Sequence, residues 1–176
     1  MIPIYEKRGG VTVRSARPED TEAVVAIRNH AVAHSTALWT SVPHTPAEGR
    51  AWFADHLDRG SALVAEVDGE IAGYAAYAPW RALEGYRTTV EDSVYVRDGH
   101  HGLGIGGALL TALIARARET GQHSMIAAIE SGNATSIRLH ERRGFEHVGT
   151  LKEAGTKFGR WFDLTLMQLR LAPPAA

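Results

Sequence analysis

The chain of 176 residues contains no cysteine. Disulfides, thiolate metal sites and an acyl-cysteine intermediate are thereby excluded. It lacks a dominant charge as well: 19 Lys and Arg stand against 20 Asp and Glu, a formal net charge of -1. The charges are spread along the chain, without the basic stripe that a nucleic-acid surface needs. No apolar run approaches membrane length, and the opening MIPIYEKRGG turns charged too early to hold a signal-peptide core. A cytoplasmic protein is the expectation. The 9 histidines include no HExxH pair, and adjacent His100 and His101 would not converge on one ion, so no metal is expected. With 44% hydrophobic and 22% charged residues, the composition fits a single domain with a real core and a small-molecule partner.

What is present is local punctuation. Val11 to Ser15 alternates as a strand, and Arg17-Pro18-Glu19-Asp20 opens a helix running to about Ala33. Thr45, Pro46 and Glu48 supply an N-cap, a first-position proline and a capping-box acid for a second helix that Gly60 closes. Ala62–Val67 and Ile71–Ala78 are apolar runs joined by Asp68-Gly69, which predicts an antiparallel hairpin. Thr88 to Val96 reads as a strand, followed by a glycine-rich turn and a helix from about Gly104 to Gly121. Ser124–Ile129 reads as a buried strand, Asn133 as the cap of a helix ending at Gly144, and Phe145–Leu151 and Phe158–Leu169 as closing strands. The division is an N-terminal extension over residues 1–10, one domain over 11–170, and a frayed tail over 171–176. The expected class is α/β, a mixed and mostly antiparallel central sheet flanked by helices.

The segment SVYVRDGHHGLGIGGALL, from Ser93 to Leu110, carries the chemistry. A strand runs into Gly102, Leu103, Gly104, Ile105, Gly106 and Gly107 and then into a helix, so backbone N–H groups and the helix dipole converge on an anion. Gly102, Gly104 and Gly107 also satisfy GxGxxG, and Glu130 lies where a dinucleotide-binding acid would sit. An NAD-dependent enzyme therefore stays open, although two helices and an antiparallel hairpin precede the turn instead of parallel units. A P-loop is disfavoured, since Gly107 and Ala108 stand where Lys and Ser or Thr are required.

Val94-Tyr95-Val96, the turn from His101 to Gly106, Asn133, and His140-Glu141-Arg142-Arg143-Gly144-Phe145 together resemble the Gcn5-related N-acetyltransferase superfamily, across nearly the whole chain from Val11 to Leu169. Gly85-Tyr86-Arg87, the VEDSVYV segment and Lys157-Phe158-Gly159-Arg160-Trp161 are similar to its phosphinothricin and methionine sulfoximine N-acetyltransferase branch. His101 departs from the Arg or Gln of the superfamily's pyrophosphate signature.

The resemblance implies acetyl-CoA as cosubstrate, a small amino-acid analogue as acceptor, and a homodimer. It implies Glu91 as the base, acting directly or through water, and His140 as the acid that protonates the departing thiolate. Val94, Tyr95 and Val96 would offer main-chain donors to the thioester and pantetheine arm, and Asn133 and Ser136 would contact coenzyme A. Asp92 is the rival acid, on the strand face opposite Glu91. Arg81, Tyr86 and Arg87, beside Glu91 in sequence, suit an anionic substrate. Trp39 and Trp161 are candidate pocket walls, while Lys157 and Arg160 carry no assigned role. A peptide or protein N-terminal acetyltransferase and a non-catalytic acyl-CoA sensor are the alternatives.

Overall fold

The computed structural model describes residues 4–8 and 10–171. Strands β1 (Ile4–Arg8) and β2 (Val11–Ser15) lead through a short 3-10 turn to α1 (Thr21–His34) and α2 (Pro46–Asp58). The hairpin β3 (Ala62–Val67) and β4 (Glu70–Pro79) is followed by β5 (Thr89–Val96), α3 (Ile105–Glu119), β6 (Ser124–Glu130) and α4 (Ala134–Glu141). A second hairpin, β7 (Glu146–Lys157) and β8 (Arg160–Arg170), closes the chain. Among the described residues, eight strands form one sheet in the order β1-β2-β3-β4-β5-β6-β8-β7, in which β5 and β6 alone pair in parallel.

Local chemistry sets these elements. The α2 capping box is closed in both directions, Glu48 N–H donating to Thr45 Oγ1 at 3.3 Å and Thr45 N–H to Glu48 Oε2 at 2.8 Å. Between β3 and β4, Asp68 and Gly69 adopt φ of 51° and 83°, as a two-residue turn with right-handed strand twist demands. Phe158 and Gly159 repeat that turn between β7 and β8.

The sheet has a core on each face. On one face Leu109, Leu110 and Leu113 of α3 pack on Leu63, Ala75 and Met125; on the other, Val24, Ile27 and Phe53 of α1 and α2 pack on Val64 and Tyr74.

Three expectations change. The N-terminal extension supplies strand β1, because its backbone pairs with β2 from Ile4↔Arg14 to Arg8↔Val11. Strand β7 runs past Leu151 to Lys157, and Phe158 belongs to the turn, since Asp163 Oδ1 accepts Glu153 N–H at 2.8 Å and bridges the irregular register. Leu171 is buried, its N–H donating to His123 O at 2.8 Å; the remainder of the expected frayed tail, 172–176, lies outside the described residues.

Candidate active site

Strands β5 and β6 pair only over Thr89↔Ser124, Val90↔Met125 and Glu91↔Ile126, then diverge. Beyond that vertex β5 remains paired with β4 on its other edge, from Val90↔Pro79 to Val96↔Gly73. The edge facing β6 is left open, and a cleft of about 880 Å³ fills the gap. Glu91, Val94, Tyr95 and Val96 line it from β5, Ala127 to Glu130 from β6, and Asn133, Ser136 and His140 from the α4 region. Gly102, Gly104, Ile105, Gly106 and Gly107 complete one end. A second cavity of about 810 Å³, lined by Ile27, His30 and His34 of α1, reaches the same Val94, Tyr95 and Val96.

The glycine end is built for an anion. Gly104 stands at φ 79°, ψ 0°, a left-handed conformation that costs glycine little. Helix α3 starts with no side-chain cap, unlike α2 with Thr45 and α4 with Asn133, and with no acid in its first turn. Its first N–H groups have no intrahelical acceptor, and the dipole adds partial positive charge there. Arg138 and Arg142 also line the cleft and add cationic groups around it, and His100 and His101 line it beside them. Arg138 and Arg142 were missed in the sequence, where a helix-face arginine carries no sign of direction. Leu103, by contrast, is exposed at the turn's tip and is absent from the cleft lining.

At the vertex, Glu91 is half-buried, and burial followed by the neighbouring Asp92 charge raises its pKa. Alternation puts Asp92 on the opposite face, 8% exposed. There its Oδ2 lies 3.0 Å from His140 Nε2, and its Oδ1 has no hydrogen-bond partner. His140, 3% exposed, has its other nitrogen, Nδ1, 2.8 Å from the Ser136 carbonyl and 3.5 Å from Ser136 Oγ. Burial alone would lower the His140 pKa, but the Asp92 hydrogen bond and charge, with the Ser136 carbonyl, outweigh it and the net shift is upward.

The remaining candidates are not brought to the cleft. Arg81 and Arg87 are exposed in the connection between β4 and β5, Arg81 stacks over Trp80 at 5.3 Å, and Tyr86 faces solvent. Arg81, Tyr86 and Arg87 are all absent from the cleft lining, so nearness in sequence to Glu91 did not become convergence. Trp161 is exposed, and Trp39 stacks on Phe162 at a centroid distance of 6.3 Å. Lys157 takes a structural place: its Nζ donates to Val32 O, Ser35 O and Leu38 O at 2.7, 2.7 and 2.6 Å, fixing the segment whose Ala37 and Leu38 wall the cleft.

A sheet split between β5 and β6, beside an uncapped glycine-led helix, leaves an open cleft with one end suited to an anion. The acetyltransferase (GNAT) family model matches residues 25–145, and the chain belongs to that family. It is an N-acyltransferase. It is 51% identical over 164 residues to an L-methionine sulfoximine/L-methionine sulfone acetyltransferase of Pseudomonas aeruginosa, covering 92% of this chain and 95% of the relative. A Salmonella typhimurium protein solved with its cofactor acetyl-CoA superposes with a TM-score of 0.91 at 44% identity, covering 96% of this chain and 98% of that one. A phosphinothricin acetyltransferase from Sinorhizobium meliloti, in complex with acetyl-CoA, gives 0.88 at 35% identity, covering 92% and 89%.

Proposed function

We propose that the protein transfers the acetyl group of acetyl-CoA directly to the α-amine of a small amino-acid analogue of the methionine sulfoximine, methionine sulfone or phosphinothricin type. The observation that carries this reading is the vertex where β5 and β6 part, with Glu91 on one face of β5 and His140 below the other. The pyrophosphate lies at the α3 N-terminus, where uncapped N–H groups offset its charge. The pantetheine arm runs beside Val94, Tyr95 and Val96, whose free main-chain edge pairs with its amides as a missing strand would. The thioester carbonyl then sits near the vertex, and a main-chain N–H of β5 stabilises the oxyanion.

Glu91 takes a proton from the acceptor, directly or through water, and its raised pKa suits proton acceptance near neutrality. The amine nitrogen bonds to the carbonyl carbon, the C–S bond breaks with its electrons going to sulfur, and His140 supplies the thiol proton. Substrate anion recognition by Arg81, Tyr86 and Arg87 requires the connection between β4 and β5 to fold toward the cleft. The protein works in the cytoplasm as a homodimer.

The test is a panel of acceptors with acetyl-CoA, followed by thiol release. Methionine sulfoximine, methionine sulfone and phosphinothricin are expected to give kcat/KM at least about tenfold above free proteinogenic amino acids and peptides, the scale of one net hydrogen bond. Preference for peptide N-termini would favour a peptide acetyltransferase, and binding of acetyl-CoA without turnover on any amine would indicate a sensor.

A further inference from the structure

Asp92 is a buried carboxylate that the reaction, as described, does not use. It is joined to His140 across 48 residues of sequence, from the middle of β5 to the last turn of α4. Both ring nitrogens of His140 face acceptors: the Asp92 carboxylate at 3.0 Å on Nε2 and the Ser136 carbonyl at 2.8 Å on Nδ1. Neither acceptor can donate when Asp92 is ionised, so both contacts are hydrogen bonds only if the ring carries two protons. The edge of Phe145, with ring centroids 4.9 Å apart, holds the imidazole from the side. Asp92 Oδ1 is buried and unpartnered. Asp92 lines the cleft itself, and packing alone gives no reason for a half-satisfied carboxylate there, because a buried polar atom without a partner is a cost.

We propose that Asp92 is a positioning residue for acetyl transfer: it holds the His140 ring in one orientation as a doubly protonated imidazolium, ready to supply the proton that the departing thiolate takes. The inference rests on the reading of His140 as the acid. The proton leaves from Nδ1, the side of the ring toward Ser136, which lines the cleft. Nε2–H stays on the ring, bonded to Asp92. Giving up the Nδ1 proton breaks the hydrogen bond to the Ser136 carbonyl, and the emptied Nδ1 accepts instead from the Ser136 hydroxyl, which lies 3.5 Å away. Solvent returns the proton through the cleft before the next turnover. Asp92 keeps its charge throughout, so its part is orientation and electrostatic support. The charged groups acting on His140 are Asp92 from β5 and, in the opposite sense, Arg143 from the turn after α4.

The test begins with the wild-type protein labelled with 15N-histidine. The His140 ring is expected to titrate above a free histidine; titration at or below the free value overturns the proposal even if no variant folds. In Asp92→Asn, which keeps the side-chain volume, the midpoint should fall by about one unit or more. The high-pH limb of kcat should move down with it, because the acid must be protonated to act. Turnover should drop about tenfold or more, the lower part of the range for general acid catalysis, with the KM for acetyl-CoA unchanged. Wild-type turnover and an unmoved titration in folded Asp92→Asn overturn the proposal. His140→Ala separates the two ideas: wild-type turnover there removes the acid itself, whereas a slow His140→Ala beside a normal Asp92→Asn removes Asp92 alone.

Discussion

At Glu91 two surroundings act in the same direction, since burial and the adjacent Asp92 charge both disfavour the carboxylate. A base must be deprotonated to act, so turnover should climb as pH passes the raised Glu91 pKa. Glu91→Gln cannot titrate there. Its kcat is expected to fall about a hundredfold, and its remaining activity should follow the fraction of neutral amine and so lie at higher pH. Acetyl-CoA affinity, read by calorimetry, should be unchanged because the β5 main chain is untouched; a pH profile like wild type would remove the base assignment. That Glu91 and Asp92 face opposite sides of β5 was legible from strand alternation, whereas the role of base for Glu91 came from the resemblance alone. The pairing of Asp92 with His140 was not legible, because it depends on how α4 settles against the sheet 48 residues later. Arg81, Tyr86 and Arg87 show the converse: their composition suited an anion, but composition carries no direction.

Elements whose boundaries depend on local chemistry were readable, as with Thr45 and Glu48 at α2, Asp68-Gly69 at the first hairpin and Gly104 before α3. Elements held by distant partners were not. The connection between α1 and α2 has little regular structure of its own and is fastened from β7. Lys157, 4% exposed, donates to the Val32 carbonyl in the last turn of α1 and to the Ser35 and Leu38 carbonyls of the connection, and the Trp39 ring lies against Gly155, where a Cβ would collide with it. Burial lowers the Lys157 pKa. Lys157→Met keeps much of the length but leaves those carbonyls unpaired, at a cost of about 2 kcal/mol. Thermal unfolding should show this as a Tm lower by about 6 °C for a chain of this size. Because Ala37 and Leu38 would lose their anchor, the KM for the amine should rise more than the KM for acetyl-CoA, and Lys157→Arg should restore part of both. A Tm and KM values equal to wild type would mean that the segment holds its position unaided.

On the scale of the whole molecule, the sheet is sealed unevenly. Both faces of its centre carry helices, but it ends at β7, a strand of 12 residues that is exposed along most of its length. Val148 and Leu151 on β7, with Phe158 and Trp161 at its hairpin, are 60%, 51%, 59% and 64% exposed. A long edge with unpaired backbone and apolar side chains invites pairing, and single domains usually blunt it with charge, proline or a covering element. Lys152 is drawn away into an ion pair with Asp163 at 2.8 Å, which leaves the apolar residues uncovered. A second copy of the chain is the expected cover. Light scattering should therefore return twice the 19.1 kDa of one chain. The double variant Val148→Glu and Trp161→Glu should return a single copy, since like charges brought together and desolvated oppose association. If the vertex of β5 and β6 is complete within one chain, the monomeric variant keeps its acetyl-CoA affinity. A wild-type protein that is monomeric at high concentration would leave β7 as an edge protected only by its irregular register.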